Sequence, residues 1–137
     1  MQPRARLERS SSGSGGSRST QLEPIFDRNG RAVAWLNENI VHDHSGRARA
    51  FVDNGAVISY RAQHIGWLDQ GYFRDRTGDA VGFVREASGG PLTAVPAMPP
   101  APPALSVPPP PPVELAAPLP AAPTLSWSNR DWEHYLG

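Results

Sequence analysis

The chain has no cysteine, no lysine and no net charge. It also has no apolar run of the roughly 18 residues that a membrane-crossing helix needs. Without cysteine there is neither a disulfide framework nor a thiolate metal site, which suits a cytoplasmic protein. Its 13 basic residues are all arginine and are matched by 13 acids. No basic surface is therefore expected to displace counterions from nucleic acid, and no nucleic-acid partner is expected. The basic start (Arg4, Arg6, Arg9) runs into Ser and Gly instead of an apolar segment, so no signal peptide is expected. The expected location is cytoplasmic, with a peripheral place at a membrane surface left open.

What is abundant is proline, and it is concentrated. From Pro91 to Pro123 nearly every second or third residue is proline and alanine is the commonest of the rest, with Pro108–Pro112 a pure run. Proline fixes φ and has no N–H, so this stretch cannot enter a helix or a sheet interior. Residues 88–124 read as a PPII-like linker. Residues 1–23, rich in Ser, Gly and Arg, have almost nothing apolar to bury and read as a disordered tail. The foldable part is about half the chain, a marginal core that needs an efficient topology.

That part is a tandem repeat. Trp35, Phe51, Trp67 and Phe83 stand 16 residues apart. Before each comes a small residue (Ala34, Ala50, Gly66, Gly82) and after each an aliphatic (Leu36, Val52, Leu68, Val84). Eight positions earlier lie Asp27, Asp43, Ser59 and Asp75; five earlier lie Gly30, Gly46, Ala62 and Gly78. Ile25, Val41, Val57 and Phe73 open the units. Several columns agreeing at one period define four units: 24–39, 40–55, 56–71 and 72–87.

In Asp-x-x-Gly the carboxylate accepts from backbone N–H groups just downstream and Gly takes a positive φ, so Asp27, Gly30, Asp43, Gly46, Asp75 and Gly78 are turn residues. The flanking apolar runs are too short for helices and read as strands. A second turn joins the units, and Asn54-Gly55 is the best hairpin signal in the chain. Four units give eight short antiparallel strands in a meander. An open meander leaves raw edges, and eight strands suffice to close. The expectation is an all-β, shallow eight-stranded antiparallel meander barrel with approximate four-fold symmetry over residues 24–87, flanked by disordered tails. Ser59 and Ala62 should make the third turn looser or differently shaped.

The unit Ile-Phe-Asp-x-x-Gly-Arg-x-Val-Ala-Trp-Leu, repeated in tandem, resembles the four-fold β-flower family of bacteria over residues 24–87, with Ser59 and Ala62 as departures. The resemblance implies a shallow symmetric barrel, remotely Tubby-like, and says little about activity. Choline-binding hairpin repeats share Gly66-Trp67 but have longer units in open solenoids. Tyr-Asp shell repeats share Asp-x-x-Gly but build cocoons far larger than four units.

Strand alternation puts Val33 with Trp35 on one face and Ala32, Ala34 and Leu36 on the other. The ring aromatics Trp35, Phe51, Trp67 and Phe83 are read as core, with ligand contact as the other option. The small column Ala34, Ala50, Gly66, Gly82 would then let something approach closely on the opposite face, or only relieve crowding. His42, His44 and His64 occupy columns that also hold Phe, Ile and Arg, so no metal site is expected. The turn carboxylates are separated around the ring and each has a local structural use. No nucleophile with base and orienter is visible, so catalytic residues, cofactors and enzymatic activity are not expected.

Residues 125–137 are aromatic again. Trp132, Tyr135 and Leu136 fall on one face of a short helix, with Ser128 and Asp131 as an imperfect capping box. With Trp127 they form a motif for an unknown protein partner, placed ahead of docking on the ring. The proline linker would set the reach between ring and motif. The reading is a non-catalytic binding or adaptor protein whose ring binds a lipid, membrane surface or protein. A purely structural oligomerisation module and a cryptic enzyme remain as alternatives. Deleting residues 125–137 should leave the ring folded.

Overall fold

The computed structural model describes residues 22–112 and 119–137. Most of the expected N-terminal tail and residues 113–118 of the linker lie outside that range. Eight strands run in chain order: β1 (Leu22–Phe26), β2 (Ala32–Asn37), β3 (Ile40–Asp43), β4 (Ala48–Asp53), β5 (Ala56–Ser59), β6 (His64–Asp69), β7 (Tyr72–Arg74) and β8 (Ala80–Phe83). Each pairs antiparallel with the next, and β8 closes on β1 where Phe83 faces Phe26. The sheet is an eight-stranded closed meander barrel with no free edge strand, as the repeat predicts. Among the described residues no helix is long and apolar enough to cross a membrane.

The Asp-x-x-Gly turns work as their chemistry requires. Asp43 Oδ1 accepts from the backbone N–H of Ser45 (2.9 Å) and of Arg47 (3.1 Å), and Gly46 has φ 91°. On the opposite rim Asn54 and Gly55 take φ 51° and 84°, the paired positive values of a tight hairpin. The third turn, expected to be looser or differently shaped, keeps the backbone bond of the others but has longer side-chain bonds. Ser59 Oγ accepts from Arg61 N–H (3.2 Å) and Gln63 N–H (3.3 Å), and Ala62 N–H bonds Ser59 O at 3.0 Å. A hydroxyl replaces the carboxylate, and Ala62 is forced to φ 64°. That conformation costs a non-glycine residue about 1–2 kcal/mol.

Simple alternation fails at one place in every unit. The register slips between Ile25 and Phe26, Val41 and His42, Val57 and Ile58, and Phe73 and Arg74. Each slip leaves one extra residue opposite: Val33, Arg49, Ile65 or Val81. These bulges repeat at the period of the ring and switch side chains between faces. Val33 and Val81 pack with Ala34 and Leu36, while Ala32 and Ala80 join the aromatic side.

One cluster draws on all four units: Ile25, Ala34, Leu36, Val41, Ala50, Val57, Phe73, Val81 and Val84. Only the inside of a closed ring can bring opposite units together, so this is the interior. The aromatic side divides into two local clusters, one around Phe26, Tyr72 and Phe83 and one around Phe51 and Ile58. The ring aromatics therefore do not fill the interior as expected; they lie on the outer wall. Trp35, Phe51 and Phe83 are nonetheless buried and Trp67 is half-buried. Eight strands enclose room for small and aliphatic side chains, not for four large rings and an inserted segment as well.

Candidate functional site: a ring mouth filled by the chain's own C-terminus

The inserted segment is the C-terminal motif. Residues Trp132–Leu136 form helix α1, with Asp131 as N-cap accepting from His134 N–H at 2.8 Å. Ser128, expected to share a capping box, instead donates from Oγ to Asp75 Oδ2 (2.5 Å) and accepts from Arg130 N–H (3.1 Å). Trp132, Tyr135 and Leu136 share one face of α1, as their spacing predicts, and all three are buried in the interior cluster. A five-residue helix is unstable alone. Here the ring holds it.

The small column explains how. A Cβ added at Gly82 would sit 3.0 Å from the Trp132 ring, and one at Gly66 would sit 2.8 Å from Tyr135 Oη. Glycine at position 82 makes room for the Trp132 ring; at position 66 it makes room first for the Arg74 carbonyl, which a Cβ would overlap, and then for the Tyr135 hydroxyl bonded to it. Trp132 meets Phe73 edge to face at 5.4 Å and 84°, a favoured aromatic geometry. Tyr135 Oη donates to the Arg74 carbonyl at 3.1 Å. Burial, aided by the nearby Asp75 charge, pushes the Tyr135 phenol far up, so it remains a donor. Arg49, set on a bulge, reaches the Gly137 carbonyl (3.1 Å) and Asp43 Oδ2 (3.2 Å). Cavities of about 340 and 350 Å³ flank the helix. The first is lined by Arg47, Arg49 and Tyr60; the second by Val33, His44 and Asp131.

The described parts of the proline tract also touch the ring. Ala97 N–H donates to Gly30 O (2.8 Å), Ser106 N–H to Gly46 O (2.8 Å) and Thr124 N–H to Gly78 O (3.2 Å). Trp127 then runs parallel beside Ala80, with Ala80 N–H to Ser126 O at 3.0 Å and Ser128 N–H to Ala80 O at 2.7 Å. Its side chain covers Tyr72 and Phe83 on the outer wall. The described residues of the segment expected to be a linker thus form a strap. At its two ends Arg74, buried on the outer wall, donates from Nη1 to Gly78 O (2.6 Å) and Thr124 O (2.9 Å) and from Nη2 to Gly89 O (3.1 Å). Tyr72 Oη donates to Pro91 O at 2.6 Å.

Other residues singled out by sequence stay apart. His42 is buried with Nδ1 3.1 Å from Gly46 O, His44 is exposed, and His64 stands edge-on to Trp67 at 4.6 Å. Among the described residues no three His, Cys, Asp or Glu side chains gather to hold a metal. Burial drives the His64 imidazole downward, aided by Arg76. The residues that sequence reasoning passed over are Arg74, Arg49 and the Asp75–Ser128 pair. Arg74 had a signal: it is a lone charge among Phe26, His42 and Ile58 in its column.

Asp43 and Asp75 are both held below the ordinary carboxylate range. Burial pushes each up, but hydrogen bonds outweigh it: Ser45, Arg47 and Arg49 on Asp43; Ser128, Thr77 and Asp79 on Asp75. A depressed folded-state pKa gives stability that is present above the unfolded value, about 3.9, and is lost as pH falls through the folded value. Urea midpoints should therefore hold steady from neutral pH down to about 5 and drop below about 4. Asp75→Asn should flatten part of that drop; an unchanged acid limb would remove Asp75 from the account.

Residues 23–136 match the 4-fold beta flower protein family, a span that takes in strap and plug as well as ring. No curated protein and no solved structure matches the chain. The period, the closed eight-stranded barrel and this match agree: the chain belongs to the 4-fold beta flower family.

Proposed function

We propose that the chain is a non-catalytic binding module in which the ring is a peptide receptor and an aromatic helix is its ligand. The observation that carries this is the fit of Trp132 and Tyr135 against Gly82 and Gly66. A mouth in which Gly82 admits the Trp132 ring and the Arg74 carbonyl receives the Tyr135 hydroxyl supports this reading. The chain's own tail fills it, which makes the module an adaptor in a closed form. A competing peptide with the same Trp-x-x-Tyr-Leu face would release the tail and free its aromatic residues for a second partner. Helix-in-groove recognition of this kind reads anchors at i, i+3 and i+4.

The test is fluorescence anisotropy with a labelled peptide of residues 125–137. The full chain carrying both Trp132→Ala and Tyr135→Ala, checked for β-sheet by far-UV circular dichroism, should bind the peptide. The unaltered chain, with its mouth filled, should bind at least about tenfold more weakly, since the internal ligand acts at millimolar effective concentration. A folded double variant that ignores the peptide would refute the receptor reading. Exchange of tails between rings, read as peptide-sensitive dimers, would support the structural oligomerisation alternative.

A membrane-surface role is favoured by one separate feature. Leu92, Met98, Val107 and Leu119 are each at least 90% exposed on the strap, and the strap from Ala87 to Pro112 carries no charge. Vesicles should co-sediment the chain if this surface meets lipid, and Met98→Ser with Val107→Ser should then abolish pelleting.

A further inference from the structure

The strap contacts have a period of their own. Along the ring the acceptors Gly30, Gly46 and Gly78 keep the spacing of 16, with Ala62 at the third place. Along the strap the donors are Ala97, Ser106 and Thr124, nine and then 18 residues apart. The carbonyls that press on the same glycines, those of Val95, Ala104 and Ala122, repeat the spacing. Aligned at nine, residues 91–126 are four tandem copies, 91–99, 100–108, 109–117 and 118–126. Each begins with proline: Pro91, Pro100, Pro109 and Pro118. Fourteen of these 36 residues are proline, yet the donor column Ala97, Ser106, Leu115, Thr124 contains none. A proline there would have no N–H to give.

We propose that the glycine-turn rim is a specificity-determining site that reads a nine-residue proline-rich repeat, one copy at each of the Gly30, Gly46 and Gly78 turns, with the chain's own residues 91–99, 100–108 and 118–126 as its occupants. This rests on reading the ring as a peptide receptor and adds a second, independent surface to the mouth. Each site makes two demands. The strap must offer a free N–H at the seventh position of its copy. The ring must offer glycine, because a Cβ at Gly30 would stand 2.6 Å from Val95 O, and one at Gly46 or Gly78 would overlap the carbonyl of Ala104 or Ala122. Glycine at the turn therefore serves two purposes, the positive φ and the approach of the strap. Ala62 reaches the φ but carries the methyl group, so the third ring unit lacks the second requirement. Its counterparts in the strap, Val113 and Leu115, lie outside the described residues. A plain proline spacer would not need the period that the donors and the pressing carbonyls share.

Amide hydrogen exchange on the full chain tests this, because a strap N–H bonded to a ring carbonyl is protected and a spacer N–H is not. Ala97, Ser106 and Thr124 should exchange slowly and their strap neighbours Met98, Val107 and Leu125 quickly. Gly46→Ala should speed exchange at Ser106 by at least about tenfold while Ala97 and Thr124 keep their protection. Gly55→Ala is the control for strain: Gly55 also has a positive φ of 84°, but an added Cβ would meet nothing closer than Leu68 O at 3.6 Å. It should leave Ser106 unchanged. The proposal falls if Ser106 exchanges at the rate of a free peptide in the unaltered chain, or if the two alanine variants behave alike. Peptide capture by the mouth without strap protection would sink this inference alone. Strap protection without capture would sink only the receptor reading.

Discussion

Trp132→Ala should destabilise the folded chain by about 3–5 kcal/mol, the usual cost of deleting a large buried aromatic. Trp132 is 3% exposed, sits in the interior cluster of the ring and packs on Phe73 and Tyr135. Its indole N–H has no partner among the described residues, so the loss is one of packing and not of a hydrogen bond. The cavity cannot collapse easily, because the walls facing it are hydrogen-bonded strands of a closed barrel. Small domains hold about 5–15 kcal/mol in total. The substitution should therefore remove a large share of the stability and move the urea midpoint accordingly. Trp132→Phe keeps most of the volume and should cost less than half as much. The same reasoning reverses the expectation that residues 125–137 can be removed freely: that truncation should cost at least as much as Trp132→Ala. A shift below about 1 kcal/mol for Trp132→Ala would mean the plug is not part of the cooperative core.

Arg74→Ala should be comparably severe, at about 3–5 kcal/mol, the range for removing one member of a buried charged network. The Arg74 side chain is 2% exposed, bonds three carbonyls from two strap segments and its own turn, and lies over the Tyr72 ring at 5.4 Å. Asp69, 3.9 Å away and 44% exposed, is a distant counter-charge; the carbonyls are what solvate the guanidinium. Removing it leaves the Thr124 and Gly89 carbonyls without a donor in a covered site, which is the expensive way to break a hydrogen bond. Lysine should not rescue the loss, since one ammonium cannot reproduce a planar fork bridging separate segments. Unfolding should become less cooperative, with Trp127 fluorescence changing before the β-sheet signal. A lysine variant of unaltered stability would show that the charge, and not the fork, is what matters.

The ring was legible because a tandem repeat presents the same evidence four times. Asp27, Gly30 and the aromatic column fix turns, strands and period together, and closure follows from the count of strands. Which face turns inward was not legible by alternation, because a bulge at Val33, Arg49, Ile65 and Val81 changes sides within each β2-type strand. Nothing in the residue types at those positions announces the extra residue. The small column Ala34, Ala50, Gly66, Gly82 did announce a close approach, and the segment that approaches was already recognised as an amphipathic turn at Trp132, Tyr135 and Leu136. Joining the two needed geometry: sequence cannot say whether an aromatic face meets its own ring or another protein. The strap was hidden by its composition. Among so many prolines a nine-residue period is faint, and it emerges only when the donors at Ala97, Ser106 and Thr124 are seen against Gly30, Gly46 and Gly78.

The central claim is that the C-terminal helix occupies the interior of its own ring, and dilute-solution NMR tests it most directly. In the full chain, at concentrations where it is monomeric, nuclear Overhauser contacts should connect the Trp132 indole to the Phe73 ring and the Gly82 α-protons, and the Tyr135 ring to Gly66. The same contacts should persist on further dilution. Trp132 and Tyr135 resonances matching those of the free peptide 125–137, with no contact to Phe73, Gly82 or Gly66, would contradict the account.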